Sequence, residues 1–344
     1  MRRSIEAFNQ HVPGEQPLPW KDPADFCPGT SWPKQAQGPM PIKNPVQHSN
    51  NYQMVNSVQS NAVNNRKDMP TSVAGGLKKM MSEGATRGQS ESLLMCTYAA
   101  KKEQSEIATL LKSGADPNCF AKVDWQPNFE TTPLLEASVN GHKRIVRLLL
   151  EHGAKPDTIV GPGYTAIYNA CMNGHYHVVL MLLDHGARVD ILTDEGFSPL
   201  YIAAQNGNMD ELVACLGAST MTKELADLGP PELGGATALY IAVQNGHPMC
   251  VRELLKAGVN VDPQTDAGST PLMIAMYLAD ELGDKPHIDC ADLLLKAGAS
   301  TTVKDKSGKN ALDWCGVDNS LIAMVKDEEE LRERKAKEGR RGFW

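Results

Sequence analysis

The stretch Thr132-Pro133-Leu134-Leu135-Glu136-Ala137 decides the fold, because its pattern returns four more times along the chain. Each copy has threonine or serine, then proline or alanine, an apolar residue, two variable residues and alanine. With the proline or alanine as anchor, at positions 133, 166, 199, 238 and 271, the copies lie 33, 33, 39 and 33 residues apart. A fixed period of this length indicates stacked, repeated units. The other copies are Thr165-Ala166-Ile167-Tyr168-Asn169-Ala170, Ser198-Pro199-Leu200-Tyr201-Ile202-Ala203, Thr237-Ala238-Leu239-Tyr240-Ile241-Ala242 and Thr270-Pro271-Leu272-Met273-Ile274-Ala275.

Every copy carries the signals of two helices and a turn. Threonine or serine is a favoured N-cap, and proline fits the first helical position because the N–H there has no intrahelical partner. An Asn-Gly pair such as Asn140-Gly141 ends the first helix, and apolar residues at helical spacing follow in 145–150. Glycine again ends this second helix, and a tip such as Asp194-Glu195-Gly196 has the residues of a tight turn. Each unit is therefore predicted to be a helix pair plus a hairpin finger.

This motif and its period resemble the ankyrin repeat. The resemblance covers about residues 91–326 in about six repeats, and it implies an all-α ankyrin-repeat solenoid. The copies at the two ends are degenerate, as the caps of stacked arrays usually are: residues 93–118 lack the Thr-Pro start, and 310–315 are expected to restart a first helix. Such a resemblance is specific for fold and says little about function.

The departures from the period predict where the array differs from a regular one. The finger at 116–130 is enlarged, a shortened second helix at 210–216 is followed by a long connection at 219–235, and about seven residues are inserted at 280–286. Insertions in solenoids usually form loops, often on the binding face.

Composition divides the chain into an arm, an array and a tail. Residues 1–90 are rich in Pro, Gln, Asn and Ser and show no helical or strand period, which predicts an extended or disordered arm. Residues 91–326 form the repeat domain, and 327–344 are expected to be a charged helical tail. Residues 1–90 hold 10 Lys and Arg against 6 Asp and Glu, residues 91–318 hold 17 against 29, and residues 319–344 hold 7 against 6, for a net charge of −7.

These charges and spacings argue against several functional classes. An acidic array lacks the clustered lysines and arginines that phosphate contacts require, so no nucleic-acid partner is expected, and a basic or mixed protein surface suits it better. No apolar run approaches a membrane span, the start lacks a secretory signal, and the eight single cysteines suggest reduced thiols. We therefore expect a cytoplasmic protein, with organelle import left open. No motif predicts a nucleotide, metal, cofactor or small-molecule site, so the chain is not expected to be an enzyme.

Two columns of side chains have more than one interpretation. His142, His175 and His247 recur at one repeat position, where a structural role in the turn is favoured over metal binding. Where the ankyrin motif usually has histidine, this chain has Tyr168 and two further tyrosines, which either pack between repeats or contact a partner. Leu148, Leu149, Leu182 and Leu183, all in second helices, are expected in the core.

The resemblance implies that a partner lies along the concave surface made by the fingers and first helices. Trp125 and Phe129 stand on the enlarged finger, where they either contact a partner or fold back on the first repeat. Trp20, Phe26 and Trp32 are apolar groups that can anchor the arm on another protein. The predicted tip contacts are Trp125, Phe129, Tyr164, Asp194, Glu195, Phe197 and Asp266, and Asn140, Asn173, Gln205 and Gln244 are expected to border the same surface.

Two functions remain open at this point. In the first, the chain is a non-catalytic adaptor or scaffold that binds a protein partner through the concave surface. In the second, it is a structural or accessory subunit of a large assembly, held there by its N-terminal arm.

Overall fold

Each copy of the repeated motif begins a helix, and its threonine or serine caps that helix. The computed structural model describes residues 72–82, 84–123, 126–315 and 319–341. In every repeat the side-chain oxygen of the motif's first residue accepts the backbone N–H of the third helical residue, which would otherwise have no intrahelical partner. These caps are Thr132, Thr165, Ser198, Thr237 and Thr270.

Three helices precede the first full motif. Helix α1 (Val73–Ser82) lies within the range that the sequence assigns to the arm. Helix α2 (Arg87–Lys101) begins at a capping box, in which the side chains of Thr86 and Gln89 each accept the other residue's backbone N–H. Helix α3 (Gln104–Lys112) completes this first pair.

Five helix pairs follow, with an antiparallel hairpin before them. The hairpin consists of β1 (Ala121–Val123) and β2 (Gln126–Thr131), whose register shifts between its two paired positions. In chain order the helices are α4 (Pro133–Val139) with α5 (Lys143–Glu151), α6 (Ala166–Met172) with α7 (Tyr176–Asp184), α8 (Pro199–Asn206) with α9 (Met209–Leu216), the short α10 (Lys223–Ala226), α11 (Ala238–Gln244) with α12 (Pro248–Lys256), and α13 (Pro271–Leu282) with α14 (Lys285–Lys296).

The insertion at 280–286 lengthens helices and does not form the expected loop. Helices α13 and α14 each have 12 residues, and only Gly283 and Asp284 separate them. Gly283 takes a left-handed conformation at the end of α13, and Asp284 caps α14 by accepting the backbone N–H of His287.

The C-terminal end of the array also differs from expectation. Residues 310–315 form turns and not the expected first helix, and within them the side chain of Asn310 accepts the backbone N–H groups of Leu312 and Asp313. A long helix, α15 (Asn319–Arg341), then packs Leu321 and Val325 into the core. The guanidinium of Arg332 donates to the carbonyls of Leu295 and Ala299, at and just beyond the last turn of α14.

One continuous apolar core runs through the stacked pairs. Tyr168, Tyr201 and Tyr240 are at most 5% exposed, so these three tyrosines pack between repeats and do not face a partner. The second-helix leucines behave as predicted, with two fully buried and two partly buried against the core; these are Leu149 and Leu182, and Leu148 and Leu183.

The recurring histidines tie each repeat to the one before it. The Nε2 atoms of His142, His175 and His247 donate to main-chain carbonyls of the preceding first helix, at 3.0, 2.9 and 3.1 Å. A Cβ on Gly141 would lie 2.7 Å from the ring of His175, so glycine in the Asn-Gly turn makes room for the imidazole of the next repeat. The structural interpretation of these histidines is confirmed.

Candidate partner-binding surface

Three finger tips share one turn, although their sequences differ. Two hydrogen bonds join Thr193 to Phe197. The backbone N–H of Thr193 donates to the carbonyl of Phe197, and the backbone N–H of Phe197 donates to the Thr193 hydroxyl. The same pair of bonds joins Thr265 to Ser269. At the last tip the Asp305 carboxylate replaces the hydroxyl and accepts from Lys309, at 3.0 Å. A side-chain acceptor at this position therefore holds these three tips closed, whereas Val160 and Tyr164 pair through their backbone groups.

Neighbouring tips are also linked through their backbones. The N–H of Asp194 donates to the carbonyl of Pro162 (3.2 Å), and that of Asp266 donates to the carbonyl of Gly234 (2.8 Å). Gly163 has a φ of +88°, and a Cβ built there would lie 2.6 Å from the Cα of Thr193. Only glycine allows the two fingers to approach so closely. The tips therefore form a connected row.

Three carboxylates come together on this row. Asp194 is exposed and Glu195 is half-buried. Burial raises the pKa of Glu195, and the negative charges of Glu232 and Asp194 raise it further. No cation of the described side chains forms an ion pair with any of the three. We call Asp194, Glu195 and Glu232 the tip cluster.

Glu232 is the functional candidate that sequence reasoning missed. It lies in a 3₁₀ turn, Pro231–Leu233, within the long connection at 219–235. The length of that connection marks it as unusual, but nothing in its sequence indicates which of its side chains lies near Glu195.

Two other predicted tip residues are accessible to different degrees. Asp266 is exposed. Tyr164 is half-buried: its backbone pairs with Val160 in both directions, and its ring stacks on Tyr168 with centroids 5.6 Å apart. Part of the Tyr164 ring and the Asp266 side chain are therefore accessible to solvent.

Phe197 requires a correction. It was predicted to contact a partner, but it is only 6% exposed and its ring packs on Tyr201 with centroids 5.3 Å apart. Ala236 and Ser269, at the same position of later repeats, are buried as well, whereas Tyr164 at this position is half-buried. Phe197 supports the finger from within.

Gln205 requires a similar correction. It was expected to border the surface but is 3% exposed. Its main-chain carbonyl accepts from the side chains of Asn245 and His247, so the next repeat lies directly over it.

The remaining helix-end residues are half-buried. The side-chain amides of Asn140 and Asn173 donate to the carbonyls of Glu136 and Asn169 within their own helices, both at 2.8 Å. Gln244 is half-buried as well. These side chains lie at the C-terminal ends of the first helices, and their contact with a partner stays a prediction.

Several predicted anchors lie outside what the structure describes. Trp125, Trp20, Phe26 and Trp32 are outside the described residues. The backbone of Phe129 lies in β2, and its side chain is not among those described.

The described part of the chain shows neither a metal centre nor a membrane-spanning helix. Within it, no three histidine, cysteine or acidic side chains are grouped so that they could hold a metal ion. None of its helices combines the length and apolar character that crossing a bilayer requires.

Comparison with known proteins agrees with this geometry. A family model described as ankyrin repeats (3 copies) matches residues 74–160, 94–193, 156–223 and 200–305, which together exceed half of the chain. The human ASB11 ankyrin repeat domain is 26% identical, with a TM-score of 0.54, and the match covers 68% of this chain and 96% of that one.

Two further solved structures are similar. An ankyrin repeat domain from Acinetobacter baumannii is 28% identical, covers 56% of this chain and 94% of its own, and has a TM-score of 0.50. The ankyrin repeat domain of Bcl-3, described as a member of the IkappaB protein family, is 21% identical over 67% of this chain and 97% of its own, with a TM-score of 0.55. At that identity the likeness to Bcl-3 concerns the fold alone.

Proposed function

This chain belongs to the ankyrin-repeat family, and from that premise we propose that it binds a basic segment of a protein partner through its row of finger tips. Ankyrin repeats are generally protein-interaction modules, and the chain's own residues supply the expected chemistry. The tip cluster and Asp266 would meet the lysines or arginines of the partner, and Asn140, Asn173, Tyr164 and Gln244 would border the contact.

The observation that carries this proposal is the uncompensated charge of the tip cluster. Burial raises the pKa of Glu195, the charges of Glu232 and Asp194 raise it further, and none of the three carboxylates has an ion pair among the described side chains. Such repulsion costs stability in the free protein, and a cation from a partner removes that cost. Carboxylates in this arrangement favour a basic ligand over a neutral or acidic one.

We place this adaptor role in a reducing intracellular compartment and do not assign catalysis. The seven cysteines among the described residues are free thiols, and most of them are buried in the core. Free thiols of this kind suit a reducing environment better than a secretory one.

The proposal is tested by titrating a lysine- and arginine-rich peptide into the full chain. Asp194→Asn, Glu195→Gln and Glu232→Gln together form the tip variant. Each pair of a tip carboxylate with a cation of the peptide contributes roughly 0.5 kcal/mol of binding free energy once solvent screening is included. The tip variant loses three such pairs and should therefore bind the peptide about tenfold more weakly. Added salt should also weaken wild-type binding.

A matched variant controls for total charge. Glu103→Gln, Glu151→Gln and Asp184→Asn remove three exposed carboxylates away from the tips. This control should bind the peptide as wild type does. Equal loss in both variants would attribute binding to net charge alone and would contradict the proposal.

A further inference from the structure

The second helices present an apolar patch on the side of the array away from the finger tips. Two side chains of α7, Tyr176 and Leu180, stand one helical turn apart on its outer surface, and Met209 and Val213 occupy the same two positions of α9. Tyr176 is 37% exposed and Val213 is 43% exposed, while the other two are half-buried. With Met249 of α12, which is 47% exposed, these five residues form what we call the outer patch.

Cations flank the outer patch on both sides. The same two positions hold Lys143 and Arg147 in α5, on one side of the patch. On the other side α12 carries Arg252, whose guanidinium contacts the Met249 sulfur at 3.7 Å. All three cations are exposed, and none has an ion pair among the described side chains. The flanks are thus basic in a domain whose net charge is strongly negative.

The spacing of the flanks fits one kind of ligand. Packed helices lie about 8–10 Å apart, so the three steps from α5 to α12 span roughly 27 Å. A helix of about 18 residues has this length. Laid across the second helices, it would cover the apolar patch with its middle and reach the cations with both ends.

We propose that the outer patch docks an amphipathic helix of a partner protein, with an apolar face and carboxylates toward both ends. Exposed apolar clusters of this kind mark interaction sites, and helices commonly bind through apolar side chains spaced one turn apart. Charge complementarity selects an acidic helix, because none of the three flanking cations has an ion pair among the described side chains. This surface is separate from the tip cluster and would take a ligand of the opposite charge.

A pair of synthetic helices tests the proposal on the full chain. The acidic probe is a fluorescein-labelled, stapled helix of about 18 residues with leucines along one face and glutamates toward both ends. The basic probe is the same helix with lysines in place of the glutamates. The acidic probe should bind saturably, and the basic one about tenfold more weakly. Val213→Glu should weaken the acidic probe about tenfold, while the tip variant should bind it as wild type does.

A charge-reversed chain provides the sharper test. Arg147→Glu together with Arg252→Glu should invert the preference, so that the basic probe binds more tightly than the acidic one. Val213 and both arginines are exposed, so these changes should leave the melting temperature unchanged within a few degrees. Absence of saturable binding, equal binding of the two probes, or an unaltered affinity in Val213→Glu would overturn the proposal. So would sedimentation showing a dimer that Val213→Glu dissociates, because the occupant would then be a second copy of this chain.

Discussion

The hydroxyl of Tyr240 should stabilise the fold, whereas the hydroxyl of Tyr201 should not. Both tyrosines occupy the same position of successive repeats and both are 1% exposed. The Tyr240 hydroxyl donates to Ser269 at 3.3 Å. Tyr201 meets the next repeat where Ala236 takes the place of that serine, and its hydroxyl has no hydrogen-bond partner among the described residues. The same substitution at the two positions therefore has opposite predicted effects.

The magnitudes follow from the fate of each buried oxygen. Burial raises the pKa of Tyr240 to about 12, which agrees with a hydroxyl shielded from water. Tyr240→Phe removes this hydrogen bond. The hydroxyl of Ser269, a residue that is only 2% exposed, then loses its tyrosine donor. We expect the free energy of unfolding to fall by about 1.5 kcal/mol. Tyr201→Phe removes an oxygen that was desolvated without compensation, so we expect a gain of up to about 1 kcal/mol.

Thermal and urea unfolding of the single variants and of Ala236→Ser measure these differences. For an array of this size 1 kcal/mol corresponds to about 2–4 °C. Ala236→Ser should raise stability by about 1 kcal/mol, and Tyr201→Phe introduced into that background should then destabilise the protein as Tyr240→Phe does. Equal destabilisation by the two phenylalanines in the wild-type background would refute the reasoning, because it would mean that both hydroxyls are equally well paired.

Three further predictions test the packing of fingers, turns and the C-terminal end. In urea unfolding, Gly163→Ala should lower the free energy of unfolding by about 3 kcal/mol, because a Cβ there clashes with the next finger and strains a left-handed backbone. Gly186 has a φ of +82° but no heavy atom within 4 Å of such a Cβ, so Gly186→Ala should lower it by only about 1 kcal/mol. Burial lowers the pKa of His142 and His247 from the usual 6.5, so the unfolded chain binds protons more readily and the free energy of unfolding should fall as the pH drops below about 6.5. Replacing both histidines by glutamine should flatten that pH dependence, and an unchanged slope would assign it to other groups. Arg332→Ala should lower the melting temperature by about 2–4 °C because it removes the side chain that donates to the end of α14, and an unshifted transition would show that this contact contributes nothing.

Local chemistry makes most of the repeat architecture predictable. A hydroxyl before proline or alanine begins the first helix of each of the five motif copies, and an Asn-Gly pair ends four of these helices, so these elements follow from a few residues. The insertion at 280–286 was predicted as a loop, although Asp284 and Pro286 are themselves helix-start residues. Asp284 as an N-cap predicts that the second helix begins directly after it, and therefore that both helices are longer than in the other repeats.

The site is less predictable because burial depends on the neighbouring repeat. The side chains of Asn245 and His247 in the next repeat cover Gln205. Phe197 packs instead on Tyr201 of its own repeat, which its sequence position before the cap does not indicate. Glu232 joins Glu195 only because the long connection folds back onto the preceding tip. The outer patch escapes detection for a related reason: its side chains come from three helices that are more than 30 residues apart at their nearest equivalent positions.

Affinity purification with mass spectrometry tests the central claim most directly, using the wild-type chain, the tip variant and the matched charge control side by side. The proposed function predicts that at least one partner with a basic segment is recovered with the wild type and with the control, and is lost with the tip variant. Recovery of the same partners with all three proteins would contradict the claim that Asp194, Glu195 and Glu232 bind them.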